Sequence, residues 1–106
     1  MNKKEERKMM VKAALNCLET EFGAHSISND DGARFDFVIE SESGFTFNGQ
    51  IDRRDLTDVM FMESISLSGN GWKEEDFRKQ EEAVSLENTI NARLEEVISG
   101  VIESIS

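Results

Sequence analysis

Residues 34–52 alternate between apolar and polar side chains with a period of two, and this pattern constrains the fold more than any other feature. The first run is Arg34–Glu40, and the second, after the turn residues 41–44, is 45–52. In a β-strand successive side chains point to opposite faces, so each run collects its apolar residues on one face. The pattern predicts a β-hairpin whose apolar face holds Phe35, Phe37, Ile39, Phe45, Phe47 and Ile51.

Two shorter segments extend this hairpin into a sheet. A strand is predicted at 24–28, followed by a turn at 29–32 whose Asp-Gly dipeptide tolerates the positive φ of tight hairpin turns. Residues 58–68 predict a further strand, although Glu63 interrupts the pattern and a helix beginning at Asp55 is the alternative. The apolar face of that strand would hold Val59, Phe61, Ile65 and Leu67.

Helical patterns lie before and after the predicted strands. Residues 3–22 carry apolar side chains at helical spacing, and Gly23 supplies the stop. Residues 73–104 are rich in Glu, Lys, Arg, Leu and Ala, which favour helix. The expected fold is therefore α+β, with an N-terminal helix, an antiparallel meander of three to four strands and a long C-terminal helical region packed on the sheet. We expect one acidic domain over residues 1–106.

The length of the C-terminal helical region bears on assembly. An unbroken helix over 73–104 would be about 48 Å long at 1.5 Å per residue, whereas a domain of this size has a radius of gyration of only about 13 Å. Either the helix breaks near Ser85, as a new N-cap, or its far half packs on a second chain. The alternative is that its heptad-like stripe, interrupted by Glu87, packs in the core of its own chain. The homodimer seam would hold Ile90, Leu94, Val97 and Val101.

The charge is strongly negative and unevenly distributed. The chain has a net charge of −10, but residues 1–12 carry +3, which leaves −13 for residues 13–106. Such an acidic surface repels the phosphates of nucleic acids, which are bound by Lys and Arg. It attracts basic surfaces, and in proteins these are commonly nucleic-acid-binding sites. The expected partner is therefore a protein with a basic surface, not nucleic acid itself; simple solubility is the alternative reason for the charge.

Residues suited to catalysis or metal binding are few. Cys17 and His25 are the only cysteine and histidine; a boundary position on the first helix and a loop or strand-edge position are expected for them. Two such residues cannot complete a tetrahedral zinc site, and no Walker or EF-hand spacing is present. We therefore expect no enzyme activity, metal or cofactor. A single cysteine, with no signal peptide or run of about 18 apolar residues, favours a cytoplasmic location.

Acidic residues of the strands and two methionines are the candidate partner-binding residues. On the polar face of a rigid sheet, carboxylates could imitate the regular negative charge of a nucleic-acid backbone, and exposed methionine adapts to varied partners. Burial of the methionines under another element is the alternative. The first hypothesis is a small nucleic-acid-mimicking inhibitor, of the kind that phages use against a host nuclease or a CRISPR complex. Its contacts would be made by Asp36, Glu40, Asp52, Asp58, Met60 and Met62.

A second hypothesis follows from the order of the elements. The sequence helix–meander–helix, with a low pI, resembles that of the acidic chaperones of type III secretion, although the chain lacks the extra strand pair expected in its second half. The resemblance implies a dimeric adaptor that grips an apolar segment of its partner. Ionic strength distinguishes the two hypotheses, because salt weakens charge mimicry steeply and apolar contacts little.

Overall fold

The structure, a computed structural model, describes residues 2–29, 32–62 and 73–105. It confirms the predicted α+β architecture, with four antiparallel strands in the order β1-β2-β3-β4 and both helices contributing to a core on one face of the sheet. The elements are α1 (Lys3–Phe22), β1 (His25–Ser28), β2 (Arg34–Glu40), β3 (Thr46–Asp52), β4 (Val59–Phe61) and α2 (Glu74–Ile105).

The first helix begins and ends where its capping residues require. The Asn2 side chain accepts the backbone N–H of Glu5 at 2.9 Å, which satisfies one of the free donors at the helix N-terminus. Gly23 adopts the left-handed conformation at φ 71°, and the next N–H, that of Ala24, reaches back to the carbonyl of Leu18 at 3.0 Å. The predicted stop at Gly23 is confirmed.

The central hairpin has the predicted faces. β2 and β3 pair in register from Arg34 opposite Asp52 to Glu40 opposite Thr46. Their turn is closed by the Ser41 N–H bonded to the Phe45 carbonyl at 2.8 Å. On the other side of β2, the side chain of Asn29 accepts the N–H of Gly32 in the β1–β2 turn. Residues 30 and 31 lie outside the described part of the chain.

The ambiguous segment begins as a strand. Val59–Phe61 forms β4 and pairs with β3 from Ile51 to Gly49, so the strand interpretation is confirmed for these three residues. Ile65 and Leu67, placed on the same face by the sequence pattern, lie outside the described residues.

Three fully buried aromatic rings fill the middle of the core. Phe47 stacks on Phe61 at 5.5 Å between ring centroids, and Phe37 meets Phe61 edge-on at 6.2 Å. The ring of Phe37 lies directly over Gly49 of the neighbouring strand, where a Cβ atom would come within 2.4 Å of its Cζ atom. Glycine at position 49 is therefore part of the packing of this ring.

The C-terminal helix does not break at Ser85, which corrects the first alternative. α2 is continuous over 32 residues, and the molecule is accordingly elongated, at 53 × 26 × 21 Å. Its second half packs antiparallel on α1, where Arg93 pairs with Glu21 at 2.7 Å. The buried side chains of the helix, Ala83, Ile90 and Leu94, lie in its middle.

Side chains of α2 also complete the outer edge of the sheet. The amide of Asn91 accepts the N–H of Val59 at 2.6 Å and donates to the carbonyl of the same residue at 3.2 Å. Glu87 accepts the N–H of Phe61 at 3.0 Å. Within the described residues no strand neighbours β4 on this side, and these bonds take the place of one. Glu87, which interrupts the apolar stripe in the sequence, thus has a structural partner.

Candidate functional site on the open face of the sheet

The two helices cover one face of the sheet and leave the other open. The side chains of the open face come from alternate positions of each strand and are exposed or half-buried. The strand register aligns one row across the whole sheet, in which Ser28 lies beside Asp36, Asp36 beside Gln50, and Gln50 beside Met60. Candidate residues from β2 and β4 are thereby brought to one surface, about 10 Å apart at ~4.8 Å per strand.

Three of the four predicted carboxylates lie on this face. Asp36 is half-buried, Glu40 is exposed at the end of β2, and Asp52 is exposed at the end of β3. Asp52 also accepts the backbone N–H of Arg54 at 2.7 Å, so it stabilises the turn that follows β3. Asp58 is exposed in the loop just before β4, at the edge of the face. Arg34 lies opposite Asp52, so the face is acidic but not uniformly so.

Both candidate methionines are exposed. Met60 is 49% exposed on β4 and Met62 is 51% exposed just after it. In the described part of the structure, therefore, no other element buries these two methionines, contrary to the alternative. An exposed pair of flexible, polarisable side chains beside carboxylates is a combination suited to binding another protein.

Further acidic residues adjoin the open face at the β2–β3 turn, and two of them, Glu21 and Glu82, were not identified from the sequence as candidates. A groove of about 440 Å³ lies between this turn, the end of α1 and the first half of α2. The hydrogen bond from Arg93 lowers the pKa of Glu21, one of its lining carboxyls, so that this group stays ionised. The groove extends the negative surface beyond Glu40 through Glu21, Glu42 and Glu82.

The residues of the predicted dimer seam lie mainly inside the chain. Ile90 and Leu94 have no exposed surface and belong to the core shared by α1, α2 and the sheet. Val97 is partly buried against the same core, and Val101 lines a shallow groove with Met9 of α1. Ile90 and Leu94 therefore pack in the core of their own chain, as the intramolecular alternative predicts. A dimer seam through these two residues would require that core to open.

Cys17 is a core residue, not the boundary residue that its position on the helical wheel predicts. It is 2% exposed, because α2 packs on the flank of α1 that the sequence pattern leaves bare. Burial, with a smaller effect of the hydrogen-bonded Glu21 carboxylate, raises the pKa of the Cys17 thiol from 9.0 to about 11. The thiolate, which is the reactive form, is therefore disfavoured.

We expect Cys17 to resist modification in the folded protein. A rise of about two pKa units lowers the thiolate fraction about 100-fold at pH 8, and burial blocks access as well. Reaction with a disulfide reagent should thus be at least about 100-fold slower for the native chain than for the chain in urea. A Cys17→Ser variant supplies the background rate. Equal rates in the two conditions would contradict the packing of α2 on α1.

The only histidine makes a surface contact with two polar residues. His25 Nδ1 lies 3.0 Å from Ser26 Oγ, and Nε2 lies 3.5 Å from Glu40 Oε1. Ser26 has φ 55° at an irregularity in the β1–β2 pairing. Although these groups have the chemical types of a catalytic triad, all three side chains are exposed, and water competes for each bond. A nucleophile of this kind acts in a site that excludes water and supplies oxyanion donors. The strand-edge position predicted for His25 is confirmed.

Metal-binding clusters and membrane-spanning helices are absent from the part of the chain that the structure describes. In residues 2–29, 32–62 and 73–105 no three side chains of His, Cys, Asp or Glu are grouped so that they could hold a metal ion. Within the same ranges, no helix has the length and apolar composition needed to cross a membrane. No protein-family model, no curated protein and no solved structure matches this chain.

Proposed function

We propose that this chain is a non-enzymatic binding protein that occupies a basic surface of a partner protein with the open face of its sheet. The observation that carries the proposal is a sheet face left uncovered by both helices, on which Asp36, Glu40 and Asp52 lie in fixed register with an exposed Met60. Backbone pairing holds these groups in place, so binding orders few of them and costs little entropy.

The overall charge supports a basic partner. With −10 on 106 residues, the chain attracts cationic surfaces over distances of about the Debye length, roughly 10 Å at 0.1 M salt. The acidic groove at the β2–β3 turn adds to the same surface next to Glu40. In its specific form, the proposal is a nucleic-acid-mimicking inhibitor that occupies the nucleic-acid site of a nuclease or a CRISPR complex.

An adaptor that grips an apolar segment is the second candidate function. The exposure of Met60 and Met62 favours it, because the methionine pair offers an apolar contact next to the carboxylates. Binding that survives high salt would support the adaptor and contradict charge mimicry.

The test compares two variants with equal loss of charge. The site variant carries Asp36→Asn, Glu40→Gln and Asp52→Asn, and the amide oxygen introduced at position 52 can still accept the turn hydrogen bond made by Asp52. The control variant carries Glu5→Gln, Glu19→Gln and Glu95→Gln on exposed helix positions. Proteins captured from a host lysate by the wild type at low salt are identified, and the most enriched one is purified for binding measurements.

We expect the site variant to bind the purified partner about tenfold more weakly, because three ion pairs at an interface rim are lost. The control variant should bind as the wild type does. A reversal variant, Glu40→Lys with Asp58→Lys, adds repulsion and should weaken binding further. Equal affinity of all variants would contradict the proposal. For the mimicry form, a short DNA duplex should compete with the chain for the same partner.

A further inference from the structure

Four of the six large apolar side chains that are exposed in the described part of the chain belong to β4, its end and the first half of α2. Met60 and Met62 belong to β4 and its end, while Phe77 is 59% and Val84 40% exposed on α2. Phe77, Val84 and the β4-binding Asn91 are spaced by seven residues, about two helical turns, so they follow one face of α2 with a drift of about 20° per step. We name the four residues Met60, Met62, Phe77 and Val84 the edge patch.

The edge patch is built on a rigid support. Asn91 makes two hydrogen bonds with Val59, and Glu87 makes one with Phe61, so β4 and α2 are tied together below the patch. Other exposed apolar residues lie elsewhere. Met9 is on α1, and Ile102 is about 27 Å from Val84 along α2 at 1.5 Å per residue.

A partner strand cannot extend the sheet at this edge. The outward N–H groups of Val59 and Phe61 are already bonded to Asn91 and Glu87, so the hydrogen bonds that strand addition needs are occupied. A partner helix, whose backbone groups are satisfied internally, meets no such obstacle. It can contact the patch with an apolar stripe of its own.

The charge around the patch selects the kind of helix. Glu74 and Glu81 flank Phe77 three and four residues away on α2, with Lys73 at the outer end, and Asp58 precedes β4. A second copy of the chain also carries a net charge of −10, and this like charge disfavours its binding at this edge. Lys and Arg beside the apolar stripe of a partner helix would instead face these carboxylates.

We infer that the edge patch binds a basic amphipathic helix of the partner protein. The inference rests on the proposed function in one respect, the basic character of the partner, and it adds a second contact beside the open face.

Methionine methyl groups provide a direct test on the intact chain. The protein is labelled with [methyl-¹³C]methionine and titrated with a synthetic Leu/Lys peptide patterned as an amphipathic helix. A peptide of the same composition with the pattern scrambled serves as the probe for charge alone. We expect saturable shifts of the Met60 and Met62 methyl signals with the patterned peptide only, while Met9 and Met10 stay unchanged.

Variants separate the patch from its surroundings. Phe77→Ser with Val84→Ser should weaken peptide binding by at least about tenfold, and because both side chains are exposed, the circular dichroism should remain native. Met9→Ser, which removes an exposed methionine outside the patch, should bind as the wild type does. Shifts at Met9 instead of Met60, equal response to the scrambled peptide, or shifts that depend on protein concentration without peptide would each overturn the inference.

A failure of the edge-patch inference can be distinguished from a failure of the proposed function. If the double serine variant binds the purified partner normally while the open-face amide variant does not, the edge-patch inference is wrong and the open-face proposal stands. If only the serine variant loses the partner, the edge patch is supported and the open-face proposal fails.

Discussion

A Gly49→Ala variant is expected to be less stable than the wild type by about 2–3 kcal/mol, the usual cost of overpacking a core. Alanine is intrinsically better than glycine in a strand by about 0.5–1 kcal/mol, so the sign of the change tests the packing. The added Cβ would lie 2.4 Å from Phe37 Cζ. Phe37 is 1% exposed and packed on Phe61, so its ring cannot move without displacing a second aromatic side chain.

Urea unfolding of a double-mutant cycle measures this contact. Phe37→Leu removes the ring atoms that crowd position 49 and should by itself cost roughly 1–2 kcal/mol, less than a truncation to alanine. When Phe37→Leu is combined with Gly49→Ala, the loss of stability should be smaller than the sum of the two single losses by at least about 1 kcal/mol. Gly100→Ala, at a helical position with no atom near the new Cβ, is the control and should stabilise by about 0.5–1 kcal/mol. Additive losses at positions 37 and 49 would mean that the ring does not lie over the glycine.

The strands were predictable because their signal is local. Period-two alternation identified β2 at Arg34–Glu40 to the residue, and the turn at 41–44 determined its register with β3. The same pattern correctly assigned Asp36, Glu40 and Asp52 to the polar face, since the direction of a strand side chain follows from its position alone. The cap at Gly23 was predictable for a similar reason, because it depends on a single backbone conformation.

Features that depend on contacts between helices were not predictable in this way. Cys17 lies on the flank of the apolar stripe of α1, and only the packing of α2 on that flank makes it a core residue. The alternative of a break near Ser85 followed from the assumption of a compact domain. Antiparallel packing on α1 supports the second half of α2 instead, and no Gly or Pro interrupts the helix there.

The edge patch was missed because its signal in the sequence is weak. Phe77 and Val84 fall outside the main stripe of α2, and two apolar residues seven positions apart do not form a pattern of their own. Their significance depends on β4 lying beside the same side of the helix, and Asn91 and Glu87 establish that contact. Glu87, which interrupts the apolar stripe of α2 in the sequence, was the available sign of that contact.

The largest effect on both stability and association is expected for Asn91→Leu. Leucine has a similar size and keeps the helix, but it leaves the buried Val59 without a partner for its N–H or its carbonyl. An unsatisfied buried polar group costs about 1–3 kcal/mol, so we expect a loss of about 2–4 kcal/mol in the free energy of unfolding. Asn88→Leu, at an exposed position three residues earlier on the same side of the helix, is the matched control and should change stability by less than about 0.5 kcal/mol.

The same variant should also associate, because an edge strand whose hydrogen-bonding groups are free pairs readily with another chain. Light scattering across a concentration series should show a rising mass for Asn91→Leu but not for Asn88→Leu. Glu87→Gln retains an acceptor for the Phe61 N–H and should behave nearly as the wild type, whereas Glu87→Leu should shift in the direction of Asn91→Leu. If Asn91→Leu unfolds with the stability of the wild type and keeps a constant mass, then the edge of β4 is not held by α2. In that case a strand of the partner could extend the sheet at this edge, and the argument for a partner helix would fail.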